Sequence, residues 1–503
     1  MTHEKGMATE FVPIGLESKD EDAPIGSNMH PAEPGSIRRL DKYITLKPAI
    51  AFGLTVLASW EGIAMTVKST LINGGPTALV YGLVLAGLGT LALAASLAEL
   101  ASIHPYVGAQ YRWTGMYAPR AMTPAFWSLM QGWLTLFSWI GLCATIPFLN
   151  GTTIQGLIIL NVESYVPQRV HGTLLMWAFC LVPFVFNIWA RKALPPIEIA
   201  GGILHILCFI VSIVVLVVMA PKKSAEFVFT ESFFGRSGWD SFDGVIHLSD
   251  EITDAPRKVP RAMMWAVVLN AIMALGFVIA MLFCIGDVDA VTNTPTGYPI
   301  IAIYYQATKS KAATNVLVAM ISLLQCISLF GVYASVSRLA WTFAKDKGLP
   351  FSDFFARVHP TLRIPLNSLG LVTLLSALLG LINIGSTEAF NAILSLTAVG
   401  LYASYVIPVL FVIIRKLEGR PPVYGPFQLG RWSLPINCFG FAFGVFMVVM
   451  LPFPPFQPVT AVNMNYAGPI LVAVILLALV DWFVSGRKRF VVPTSKTEFQ
   501  GNT

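Results

Sequence analysis

The chain has 503 residues, 55% hydrophobic and 12% charged, with a formal net charge of +6. Soluble domains carry about 25% charged residues. Here the charge is roughly halved and kept out of long runs such as 262–286, 312–337 and 389–414. Uncharged apolar windows of about 20 residues span a bilayer, which excludes a soluble enzyme, a nucleic-acid binder and a secreted disulfide scaffold.

Residues 1–43 are polar, with an acidic cluster at Glu17, Asp20, Glu21 and Asp22, and read as a disordered cytoplasmic tail. No apolar segment precedes Ile44, so no cleavable signal is expected and the first span targets the chain. A membrane-spanning domain is expected over 44–485, followed by a cytoplasmic tail over 486–503. Its uncharged runs predict eleven spans: 48–67, 77–97, 124–149, 172–190, 199–220, 262–285, 314–337, 366–384, 389–414, 434–451 and 466–482. Pro452, Pro454, Pro455 and Pro458 separate the last two, because clustered prolines remove backbone donors and stop a helix.

Cytoplasmic loops collect Lys and Arg. The N-terminal tail, the loop with Arg112 and Arg120 and the loop with Arg191 and Lys192 are rich in them. The alternate loops hold only Lys68 or only Arg169. That sets the N-terminus inside and the end of span five outside. The later basic loops (Arg257, Lys258 and Arg261; Arg338 to Arg363; Arg415 to Arg431; Arg487 to Lys496) fall inside only if residues 221–260 cross once. The longest uncharged stretch there is Gly244–Ser249, far short of the roughly 17 residues of a spanning helix. The expectation is a sixth helix truncated near 240–245, with about 15–20 apolar residues missing relative to a twelve-span ancestor; the alternative is an eleven-span chain with a re-entrant piece.

Cys143, Cys180, Cys208, Cys284, Cys326 and Cys438 all lie in apolar runs without a CxxC or His/Cys cluster. They are expected to pack helices, and no metal or redox cofactor is implied. No P-loop, HExxH motif or intramembrane aspartate pair occurs, so neither ATP drive nor a membrane-embedded enzyme is expected.

Within the spans, ionisable residues are expensive and functional by default. Glu61 lies in mid-span one, flanked by Ser59, Trp60 and Gly62. It reads as a substrate-ammonium or proton contact beside an unwound turn, with a structural carboxylate as the alternative. Trp60 either stacks on an ammonium or packs. His205, early in span five, is either a proton-coupling group or hydrogen-bonded structure. Glu198 is expected to reach back toward Arg191 and Lys192. Asp243, His247 and Glu251 share one helical face and read as a cytoplasmic gate paired with Arg338, or as a solvated face. Gln325, Tyr333, Tyr402 and Tyr405 either line a pocket or join helices. Gly82, Gly87, Gly89, Gly201 and Gly202 read as close helix contacts. Asn150-Gly-Thr152 is a glycosylation triplet at the outer end of span three, too near the membrane for use.

Five segments carry a family resemblance: Ser59-Trp60-Glu61-Gly62; Asn73-Gly74-Gly75-Pro76; Glu99 through Pro105, Gly108 and Tyr111 to Trp113; Asp243 to Glu251 with Pro256 to Pro260; and Ser337-Arg338 to Trp341 with Lys345 to Pro350. Together, in this order, they resemble the amino acid–polyamine–organocation superfamily, in its fungal amino acid/choline (GABA permease-like) branch. The resemblance implies an all-α fold of two inverted five-helix repeats plus two C-terminal helices, with helices one and six broken and the substrate between them. It implies a proton-driven symporter for an amino acid or an amine such as GABA or choline, in a fungal plasma membrane or, alternatively, a vacuolar one. By the same resemblance, Phe242 and Asp243 would border the substrate. A truncated sixth helix points instead to a non-transporting or regulatory isoform. The implied partners are a small amine or amino acid, a coupling proton and the lipid bilayer, and no nucleic acid.

Overall fold

A computed structural model describes residues 46–231, 255–385, 387–453 and 464–492. Eleven helical stretches among the described residues are long and apolar enough to cross a membrane, and none of these residues forms a strand. The stretches follow the eleven predicted spans in order. The N-terminal tail, the expected truncation near 240–245, and Phe242, Asp243, His247 and Glu251 lie outside the described residues.

The helices, in chain order, are α1 (Leu46–Leu57), α2 (Ser59–Ile103), α3 (Ala109–Tyr117), α4 (Pro124–Asn161), α5 (Arg169–Trp189), α6 (Leu194–Met219) and α7 (Ala225–Thr230). They continue as α8 (Ala255–Phe283), α9 (Val288–Thr292), α10 (Pro299–Thr308), α11 (Lys311–Lys345), α12 (Ser352–Phe355), α13 (Leu366–Gly385), α14 (Thr387–Leu417), α15 (Ser433–Met450) and α16 (Ala467–Asp481). Local chemistry sets many of the ends. Ser224, Asp287 and Ser310 accept from backbone N–H groups of the first turns of α7, α9 and α11, supplying the caps those turns lack. Pro124 opens α4, where its missing N–H costs nothing. Gly75, at φ 65° and ψ −165°, divides α2 into the end of the first span and the whole of the second, a conformation only glycine adopts without strain.

The two ends of the bundle can be told apart by contacts. The Lys223 N–H donates to Phe283 O at 2.8 Å and the Thr77 N–H to Glu231 O at 3.2 Å, so residues 223, 283, 77 and 231 share one end. α8 has 29 residues, about 43 Å at 1.5 Å per residue, which puts Ala255 at the other end. There Asn187 and Arg191 border one small pocket with Ser337 and Arg338, and Arg112 pairs with Asp346. The basic loops of both halves therefore share one end, as the charge pattern requires.

Lipid offers apolar helices no hydrophobic drive to associate, so close contact and buried hydrogen bonds hold them. Gly202 of α6 meets Ala51 of α1, and a Cβ there would lie 3.0 Å from the Ala51 Cβ. Gly440 of α15 sits as close to the backbone at Leu93. Four cysteines are buried as expected, but Cys326 is half-buried and Cys438 faces outward on α15, so neither of those two packs fully between helices. Glu99 of α2 accepts from Lys416 Nζ at 3.0 Å, from the Leu429 N–H at 3.0 Å and from Ser433 Oγ at 2.5 Å. At the same end Arg112 grips both oxygens of Asp346 at 3.0 and 3.1 Å while the Tyr111 hydroxyl donates to Oδ2 at 2.7 Å. The family-like segments at 99–113 and 345–350 thus form clasps at that end.

Candidate functional site at the break in the first span

The helix of span one is interrupted at Ala58, which sits in the left-handed region at φ 37° and ψ 41°. Sequence placed the unwinding at Ser59 to Gly62. Instead these four residues open the next helix, and the Gly62 N–H donates to Ala58 O at 2.7 Å. A non-glycine residue there is strained and needs its surroundings to hold it. Asn270 of α8 supplies that support from both sides of the break. Its Oδ1 accepts from Ser59 Oγ at 2.7 Å and the Ser59 N–H at 3.3 Å, and its Nδ2 donates to Leu54 O at 3.4 Å. Asn270 escaped the sequence reading because it is neutral and lies 211 residues from Ser59.

One turn past the break the two intramembrane ionisable candidates meet. Glu61 Oε1 and His205 Nδ1 lie 2.5 Å apart, and both side chains are 1% exposed. Glu61 Oε2 and His205 Nε2 have no hydrogen-bond partner. Sequence named both residues without pairing them. They meet because span one and α6 pack through α6's single buried stripe of Glu198, Gly201, Gly202, His205, Cys208 and Ser212. Further along it, Tyr304 of α10 donates to Ser212 Oγ at 3.0 Å. Trp60 is fully buried, its ring 6.1 Å from His205, 6.2 Å from Phe209 and 5.3 Å from Phe277. It forms the apolar wall of the pair, and its indole N–H has no partner.

Glu198 corrects the sequence reading. It does not reach toward Arg191 and Lys192; it is 2% exposed and accepts from Thr55 Oγ1 of α1 at 2.8 Å. The α6 stripe turns its carboxyl into the bundle. Asn150 is a second correction: α4 continues to Asn161, so Asn150 is no span end, and its buried amide donates to Gln325 Oε1 at 3.0 Å. Glycosylation there is sterically excluded.

Other candidates lie apart. Tyr402 packs beside Tyr405 and Phe443, its hydroxyl 3.4 Å from Thr90 Oγ1, in the hydrophobic cluster that does not contain Trp60. The Tyr333 hydroxyl donates to Cys143 O at 3.2 Å. Arg338 is buried at the basic end, donating to Ala334 O at 2.7 Å; Glu251, its expected gate partner, lies outside the described residues. Among the described residues, no group of three His, Cys, Asp or Glu could hold a metal.

The arrangement can hold a proton between a carboxylate and an imidazole in a dry site, beside a strained, hydrogen-bonded break. Known proteins place the chain in a transport context. A family model described as amino acid permease matches residues 45–476. A Macrophomina phaseolina protein named for amino acid/polyamine transport is 31% identical over 83% of this chain and 96% of its own. The choline transporter of Saccharomyces cerevisiae is 30% identical over 88% of this chain and 80% of its own. Amino-acid permease 2 of Neurospora crassa is 26% identical over 86% and 84%. Among solved structures, a manganese transporter of Eremococcus coleocola shares the fold, with a TM-score of 0.52 at 12% identity over 89% of this chain and 95% of that one. None of these relatives is named for a sensor or regulatory role. This chain belongs to the amino acid permease family and is a multi-pass transmembrane transporter.

Proposed function

We propose that this transporter moves a small amine-bearing solute, an amino acid or a choline- or GABA-like amine, driven by a proton gradient. The carrying observation is the buried Glu61–His205 pair at 2.5 Å beside the break at Ala58, with one unsatisfied atom left on each partner. An intramembrane carboxylate next to a neutralisable imidazole can accept a proton or a substrate ammonium without stranding a bare charge in hydrocarbon. Backbone groups at a helix break offer contacts for a solute's polar ends. In this reading Glu61 and His205 carry the proton, Ser59 and Gly62 flank the substrate contact, and Trp60 shields the pair. Phe242 and Asp243 border the substrate, Arg338 with Glu251 closes the inner end, and Tyr402 lines the path. The relatives' names support an amine or amino acid cargo, and the family resemblance favours the plasma membrane over the vacuolar one.

The test is uptake of labelled amino acids, GABA and choline into vesicles carrying the purified protein, with and without an inward proton gradient. Gradient-stimulated uptake of at least one solute, lost in Glu61→Gln, is expected. Uptake indifferent to the gradient overturns the coupling, and no uptake of any of them overturns the substrate class.

A further inference from the structure

Between α11 and α13 the chain runs through α12, in a polar and basic connection outside the apolar spans. It carries Lys345, Lys347, Arg357 and Arg363 against Asp346 and Asp353. Both acids already have cationic partners: Asp346 meets the guanidinium of Arg112, and Asp353 meets the ammonium of Lys347. Lys345 and Arg357 are exposed, the Lys345 ammonium 5.7 Å from the Trp341 ring. In this polar setting two large apolar residues face outward. Phe351 is 83% exposed and Phe354 50%. The Phe354 N–H donates to Phe351 O at 2.9 Å, so the two stand on one turn. Phe351 is held in the left-handed region at φ 55°, which costs a bulky residue free energy and needs its surroundings to impose it.

The depth of α12 in the bilayer follows from α13. That helix has 20 residues, about 30 Å at 1.5 Å per residue, which matches the hydrocarbon thickness. Its first residue, Leu366, therefore marks the hydrocarbon boundary at the basic end. Asn367 Nδ2 donates to Phe354 O and Ser368 Oγ to Phe355 O, both at 2.8 Å, which fixes α12 at that boundary. α13 itself borders lipid, with Leu374, Leu378 and Leu381 exposed along it. The inward side of α12 is already committed. Phe355 packs against the main hydrophobic cluster, and the Trp341 indole donates to Ala356 O at 2.9 Å.

We propose that this shelf anchors the basic end in an anionic lipid leaflet. Phe351 and Phe354 enter the boundary between headgroups and acyl chains, and Lys345 and Arg357 hold the anionic headgroups beside them. Rings at that depth bury apolar area that water would otherwise cover, and each cation gains from the negative surface of the leaflet. Cytoplasmic leaflets carry that charge, and the basic end takes the cytoplasmic side by the positive-inside rule. A soluble protein partner would have to displace headgroups to reach the two rings, so lipid is the better-matched occupant. The inference concerns how the chain is seated in its leaflet and does not depend on which solute is carried or on proton coupling.

The experiment replaces Phe351 with p-benzoylphenylalanine, an aromatic photocrosslinker that inserts into nearby C–H bonds. The full chain is reconstituted in vesicles of dioleoyl phosphatidylcholine with about one part in three dioleoyl phosphatidylserine and illuminated. Both leaflets carry the same mixture, so the direction of insertion does not matter. Mass spectrometry of the peptide bearing residue 351 reads which lipid is attached. The same crosslinker at Leu374, in mid-span on α13, reports the bulk lipid composition and correct insertion. The serine-to-choline headgroup ratio among adducts at 351 is expected to exceed that at 374 by at least about twofold. Lys345→Gln combined with Arg357→Gln should bring the two ratios together without lowering the yield of lipid adducts, because the rings still insert. No lipid adduct at 351 while 374 gives one, or an adduct to a second copy of the chain, overturns the anchor. Equal ratios at 351 and 374 in the parent overturn the anionic preference, and an enrichment that survives the double substitution overturns the part given to Lys345 and Arg357.

Discussion

At Glu61 and His205 the question is what it costs to leave one partner alone. Removing one member of a buried, hydrogen-bonded pair strands the other and costs about 3–5 kcal/mol. Both side chains are 1% exposed, so solvent does little to soften that. Glu61→Ala and His205→Ala are each expected to lose about 3 kcal/mol of stability in detergent. The double variant should lose less than the sum, by about 1–3 kcal/mol. Strict additivity in a thermal-unfolding cycle would show that the two groups do not interact. Much of this site was legible, because charge inside an apolar run stands out: Glu61 and His205 announce themselves. Their pairing was not, since nothing local says which face of span five meets span one. Asn270 was not legible at all. A neutral amide in an uncharged run reads as helix glue, and only the fold shows it bridging both sides of a break.

At the level of elements, two short pieces of backbone decide how the bundle is tied. The first is Ala58, whose φ of 37° is a region that L-residues with a Cβ occupy at a cost of about 1–2 kcal/mol. Ala58→Gly should therefore raise the thermal midpoint modestly. Ala58→Val should lower stability by about 1–2 kcal/mol. If Ala58→Gly destabilises the protein, the strain does not reside at this joint. The second is the clasp of α3 on the turn after α11. Burial, and then the Asp346 carboxylate, push the Tyr111 phenol well above its ordinary value. The folded protein thus holds this proton at a pH where the unfolded chain has released it, so in that range N binds more protons than U and stability falls with pH. The clasp contributes fully below about pH 10 and is lost progressively above it. Alkaline melts should show that decline, and Tyr111→Phe should flatten it. An unchanged slope in Tyr111→Phe would place the titrating group elsewhere. The break itself was expected from Ser59 and Gly62, residues that tolerate unwinding. The fold put it on an alanine instead, because Asn270 and the packing of α1, rather than local propensity, decide where the helix parts.

Across the whole molecule, span number and order were readable because bilayer thickness writes itself into the sequence as uncharged runs. The helix ends were less readable: α4 runs on to Asn161 because apolar and small polar residues continue past the last residue of the predicted span. Which loops share an end was readable for another reason. Loop charge is a property of each connection, so it survives even where the sixth span cannot be recognised. Two arguments that share no premise now agree. Loop charge demands a single crossing between the fifth and following spans. The contacts of Lys223 with Phe283 and of Thr77 with Glu231 put residue 231 at one end, and the length of α8 puts residue 255 at the other. This has a direct consequence in a membrane. Thiols introduced at the exposed positions Lys192 and Arg357 should react with an impermeant reagent from the same face. Thiols at Lys222 and Lys309, which line one cleft at the opposite end, should react only from the other face. Lys192→Cys and Arg357→Cys labelling from opposite faces would mean that the second half of the chain is inverted. The charge rule would then be broken at four successive loops, and the shared end of Arg191 and Arg338 could not be the arrangement the bilayer sees.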